Sequence, residues 1–150
     1  MSANLEVKHG QNFSAANVGE WENLRQHSFP HPLLGKVPGK LFLKEPLRLT
    51  GLEVSLGVLP SGRGLPFLHA HRENEELYIF VSGRGEMLVD SEVIEVRQGS
   101  IVRVAQNGVR AWRNTGTEDL HYLVIQAKAG TLDKGTITDG YQIEGAPKWK

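Results

Sequence analysis

The sequence contains no cysteine, which excludes disulfides, thiolate nucleophiles, iron–sulfur clusters and cysteine-based zinc sites. Nor is there surplus charge of either sign: Lys+Arg and Asp+Glu both number 17, for a formal net charge of zero. Affinity for phosphate backbones rests on excess positive charge, so a general nucleic-acid binder is not expected. Hydrophobic residues make up only 39% of the chain, and no apolar run approaches the roughly 20 residues a membrane-spanning helix needs. The first ten residues, Met1 to Gly10, carry no apolar stretch of the signal-peptide kind, and a soluble, cytoplasmic protein is the expectation. At 150 residues the chain is expected to form one domain with room for an arm or tail.

What the sequence does have is punctuation. Seventeen glycines and seven prolines recur at about ten-residue intervals from Gly35 to Gly116, the spacing of strands and turns in an all-β fold. Leu52, Val54, Leu56 and Val58 alternate with Glu53, Ser55 and Gly57, and the run from Met87 to Val96 is broken at Asp90-Ser91-Glu92 as a hairpin would be. These patterns predict strands near 41–44, 52–59, 67–71, 76–82, 86–90, 92–96, 101–104, 110–114 and 120–127. Residues 1–37 differ. Val18, Trp21 and Leu24 predict one short helix, with Asn17 as its cap. The prolines of Phe29–Pro38 exclude regular helix there. One helix is too little for a helix-turn-helix reader. The chain thus divides into an arm (1–37), a β-rich body (38–128) and a Gly- and polar-rich tail (129–150).

The chemistry concentrates in Gly64–Gly83. His69 and His71 stand two apart, so on an extended segment both imidazoles project from one face. Glu76 opens the next strand and can return a carboxylate to the same point. Two imidazoles and a carboxylate on one side of a divalent cation suit non-haem Fe, and also Mn, Ni or Zn. A lone His-x-His pair is weak evidence, more often two surface histidines than a metal site.

Here the sequence resembles the cupin superfamily. Its first motif runs Gly, His-x-His, three or four residues, Glu, six residues, Gly, and the chain supplies Gly64, His69-Ala70-His71, Glu76 and Gly83. Only the first gap departs, being one residue short. The second motif survives at Gly99 and Asn114, but its proline is Ala105, its glycine is Asn107 and its histidine is Arg110. The resemblance covers about residues 40–127. It implies a double-stranded β-helix, or jelly-roll, cupin barrel preceded by a short helical arm, often dimeric, with a metal held by His69, His71 and Glu76. The six-residue spacing to Gly83 selects Glu76 over Glu75. Strand parity then turns Glu76, Tyr78 and Phe80 inward, with Phe67 on the face of the histidines.

Arg110 stands at the family's fourth ligand position, and a guanidinium has no lone pair for a cation. Three outcomes are open: it binds an anionic substrate beside the metal, it pairs with Glu76, neutralises the carboxylate and leaves the site empty of metal, or it points to solvent. Tyr78 is the candidate catalytic proton donor. Arg110, Phe67 and Trp112 are the candidate substrate contacts, and Asn114 is expected to fasten a turn. His121 is expected at an edge or surface rather than as a substitute ligand, and His27 and His31 form no helical pair because Pro30 intervenes. Two functions remain. One is a mononuclear metal enzyme of oxygenase, isomerase or lyase type acting on a small anionic molecule, its metal weakly held and partly occupied. The other is a non-catalytic small-molecule-binding barrel with a weak metal or none. A homodimer is expected, because Leu77, Ile79 and Val81 leave an apolar outer face for a second sheet or subunit, with Trp21, Leu33 and Leu34 of the arm available to reach a partner.

Overall fold

The punctuated sequence folds into short strands and tight turns, in a computed structural model that describes residues 4–149. The β-rich body comprises β5 (Lys40–Phe42), β6 (Glu53–Leu59), β7 (Asn74–Ser82), β8 (Arg84–Val89), β9 (Glu92–Arg97), β10 (Ile101–Val104), β11 (Arg110–Asn114) and β12 (Leu120–Lys128). They form two sheets, one in the order β10-β7-β12-β6-β5 and one in the order β11-β8-β9, with antiparallel pairing throughout. Tyr78, Phe80, Met87, Val96, Val104, Trp112, Leu120, Tyr122 and Val124 form the core between them. This is the double-sheet, jelly-roll arrangement expected from the alternation.

Turn chemistry matches the sequence at the decisive points. Val89 pairs with Glu92, so Asp90 and Ser91 form the hairpin turn, and Asp90 adopts φ 53°. Asn107, where the family pattern has glycine, sits at φ 66°, a left-handed conformation that Asn tolerates better than most residues. Gly83 (φ 86°) is more constrained, because a Cβ there would overlap the Asp119 carbonyl.

The arm is richer than one helix. It carries two hairpins, β1 (Val7–His9) with β2 (Ser14–Ala16) and β3 (Ser28–His31) with β4 (Gly35–Pro38). The helix between them is a 3-10 helix, Trp21–Gln26, led in by Glu20 rather than Asn17. Three residues per turn put Val18, Trp21 and Leu24 on one face, and that face covers Leu56, Val58, Leu41 and Leu123 on the outside of the large sheet. Trp21 thus packs on its own barrel. Arg25 pairs with Asp119 beside it. A four-residue helix α1 (Lys44–Leu47) links β5 to β6 and was not expected.

Residues 67–71 are not a strand. His69 forms an isolated bridge with Arg110, and Gly64 one with Arg113. Between these bridges the segment has two residues more than β11, and Pro66 has no N–H to donate, so the ladder breaks. The alternation survives: Phe67, His69 and His71 line the interior, while Leu68 is exposed.

Candidate metal centre in an aromatic-lined cavity

Between the sheets lies a cavity of about 360 Å³. Its wall includes Phe67, His69, His71, Glu76, Tyr78 and Trp112, so these six expected residues meet in one place. One potential ligand atom from each of His69, His71 and Glu76 lies within 4.8 Å of the others. The two imidazoles stand edge to face with centroids 5.5 Å apart, and His71 Nε2 is 3.1 Å from Glu76 Oε1.

Arg110 makes the ion pair of the second outcome, with Glu76. It is fully buried, outside the cavity wall, and donates through Nη2 to Glu76 Oε2, through Nε to the Tyr78 hydroxyl (3.1 Å) and through Nη1 to the Gly108 carbonyl (2.9 Å). Tyr78 also donates its hydroxyl to Glu76 Oε2. Glu76 is therefore divided: Oε2 belongs to Arg110 and Tyr78, and Oε1 faces the histidines.

The electrostatics follow from this geometry. Burial by itself raises the Glu76 carboxyl, but hydrogen bonds from Tyr78 and Arg110, and the Arg110 charge, hold it below its ordinary range. Burial and the neighbouring carboxylate push the Tyr78 phenol well above its ordinary value. Burial, then the Arg110 charge, lowers His69 to about 4, so its imidazole is neutral near pH 7. His69 Nδ1 is buried without a hydrogen-bond partner. A neutral imidazole with an orphaned nitrogen, a second imidazole and the carboxylate oxygen that Arg110 and Tyr78 do not hold fit a divalent transition metal.

The other sequence candidates fall as follows. Trp112 packs edge-on to Tyr78 and Tyr122 (5.0 and 5.5 Å). Asn114 fastens its turn, donating to the Leu59 and Glu118 carbonyls and accepting from Gly116 N. His121 is buried rather than at the surface: it lies beneath the arm, against Trp21 and 2.8 Å from Ser82 Oγ. Sequence reasoning missed the cavity's other wall, where Phe29, His31 and Leu34 of the β3–β4 hairpin join Lys40 and Phe42 of β5. The alternation of Phe29 and His31 about Pro30 was the available signal.

A double-sheet barrel carrying a His-His-Glu cluster on its inner wall defines a small cupin-like protein, and comparison agrees. The family model described as Cupin domain matches residues 55–126. A cupin protein from Bacteroides fragilis is 41% identical over 70% of this chain and 89% of its own, with a TM-score of 0.68. The chain belongs to the cupin superfamily. The fold alone is shared with a predicted oxalate decarboxylase from Thermotoga maritima (22% identity, 62% and 79% coverage, TM-score 0.53). It is shared likewise with a Cupin 2 conserved barrel domain protein from Salinispora arenicola (22%, 63% and 78%, 0.53). No curated protein matches the sequence.

Proposed function

We propose that this cupin holds one divalent transition metal (Fe, Mn, Ni or Zn) on His69, His71 and Glu76 and acts there on a small organic anion. The reaction is of oxygenase, isomerase or lyase type, and the protein works as a cytoplasmic homodimer. The observation that carries the reading is the convergence of three metal-type donors on one wall of a largely apolar cavity. A divalent ion held there supplies Lewis acidity to a substrate oxygen. Phe67 and Trp112 pack against the substrate and exclude water. In this reading Arg110 and Tyr78 are positioning residues that aim Glu76 Oε1 by holding Oε2. Metal analysis of the purified protein tests the reading: less than one-tenth of an equivalent after growth with added metals, and no binding on titration, would overturn it.

The second reading, a binding barrel without catalysis, draws on the same ion pair, since Arg110 neutralises the carboxylate that a cation would use. It expects ligand binding that is indifferent to metal. The homodimer reading draws on the large sheet's outer face beyond the arm, where Ile101 and Ile79 stand side by side in register and Ile101 on the edge strand is 64% exposed. A solution mass of one chain by light scattering counts against it.

A further inference from the structure

The cavity contains a charged group that the metal reading does not use. Lys40, on β5, lines the wall with its Nζ 5.1 Å from the centre of the Tyr122 ring, 5.7 Å from Trp112 and 5.7 Å from Phe42. Register explains the placement. Lys40 pairs with Gly57 on β6, which pairs with Tyr122 on β12. A Cβ on Gly57 would overlap the Tyr122 ring, so the glycine lets that ring lie across the sheet beside the amine. Among the described residues, no side-chain hydrogen bond or ion pair reaches Lys40 Nζ. Glu76 and Glu53 act on it only at longer range.

Three rings about a cation form the kind of cage that recognises ammonium ligands, but here the chain's own ammonium fills it. Cation–π attraction offsets only part of the cost of burying an ammonium. The deficit shows in Lys40 itself, which burial lowers to about 8 against the opposing pull of Glu76 and Glu53. A partner that neutralised the charge would remove the deficit. Arg110 does not compete for that partner, since it is buried outside the cavity wall with each of its three nitrogens already donating to Glu76, Tyr78 or Gly108. Phe29, Phe42 and Phe67 supply apolar wall on the same cavity.

We propose that Lys40 is the anion anchor of the cavity, receiving the carboxylate of a ligand whose apolar, ring-sized body lies against Phe29, Phe42 and Phe67. This deepens the reading of the cavity as an organic-anion site and assigns the anion to Lys40 in place of Arg110. It does not require a bound metal.

The test is calorimetric titration of wild type, Lys40→Met and Lys40→Arg with phenylacetate and its neutral counterpart phenylacetamide. Each protein is used metal-free after chelation and again after metal loading. The expected result is that metal-free wild type binds phenylacetate at least tenfold more tightly than Lys40→Met does. Lys40→Arg stays within a few-fold of wild type, and phenylacetamide does not distinguish the three. Equal binding of phenylacetate by wild type and Lys40→Met overturns the proposal, as does failure of wild type to bind it in either metal state. If wild type and Lys40→Met take metal alike, the cavity is intact in the variant. Absence of metal binding with the phenylacetate preference retained overturns the metal reading alone and leaves the anchor standing.

Discussion

Arg110 and Glu76 form a buried ion pair between two facing strands, and Tyr78 binds both members. With relative side-chain exposures of 1% and 5%, neither charge has water to fall back on. Removing one member of such a pair leaves the other uncompensated, which costs about 3–5 kcal/mol. Arg110→Met is therefore expected to lower stability by that amount in urea unfolding at pH 7. The double variant Arg110→Met/Glu76→Gln should recover part of the loss. A cost below about 1 kcal/mol for the single variant means the pair is solvent-screened.

Metal affinity should depend on the two imidazoles and respond to the residue at position 110. His69→Ala and His71→Ala are each expected to weaken binding of Mn, Ni or Zn at least tenfold by titration, and equal binding by wild type and both variants sinks the assignment. Arg110→His removes a cation beside the site and places an imidazole where the cupin pattern has one, so metal should bind more tightly. Unchanged affinity in that variant would show that position 110 does not reach the ion.

Lys40 sets a pH dependence whose sign can be worked out. Its folded value of about 8 lies below the ordinary 10.5, so between those values the unfolded chain holds more protons and stability rises with pH. Below about pH 8 the cost of holding the partly buried ammonium, on the order of 3 kcal/mol at most, is present. Of the groups around it, Glu76 stays ionised, Arg110 stays charged, and His69 stays neutral through this window. Tyr122, which burial raises to about 12, and Tyr78 keep their protons. The stability difference between wild type and Lys40→Met should therefore shrink from pH 8 to 10. Phenylacetate affinity of the wild type should fall over the same range. A flat difference across that interval removes Lys40 as its source.

The arm and the tail should respond differently to truncation. Leu24 is fully buried against Leu56 and Val58, so Leu24→Ala is expected to cost about 2–5 kcal/mol in chemical unfolding. In the tail, Leu132, Ile137, Tyr141, Ile143 and Trp149 are each at least 69% exposed. Deleting residues 131–150 should leave stability within about 0.5 kcal/mol of the full chain. A loss of several kcal/mol on that deletion would show that the tail packs against a barrel in solution.

Local rules carried much of this protein. Alternation at period two and glycine or Asp-Ser turns marked eight of the nine expected body strands. The spacing of His69 and His71 was enough to place two imidazoles on one face, because a side chain's face on an extended segment depends only on parity, and the motif resemblance added Glu76 to them. Even where 67–71 lost its ladder, parity held. The tertiary structure decided what parity cannot. Arg110 and Glu76 lie 34 residues apart in sequence, and whether they meet depends on which strands face each other across the core. The β3–β4 hairpin became cavity wall because it folds against a barrel whose surface does not exist until distant strands pair. Lys40 lies within a ring of aromatics for the same reason: Gly57 and Tyr122 come beside it only when β5, β6 and β12 are in register. Charge and burial at these positions are properties of assembled neighbours, and the sequence specifies those neighbours only through the fold.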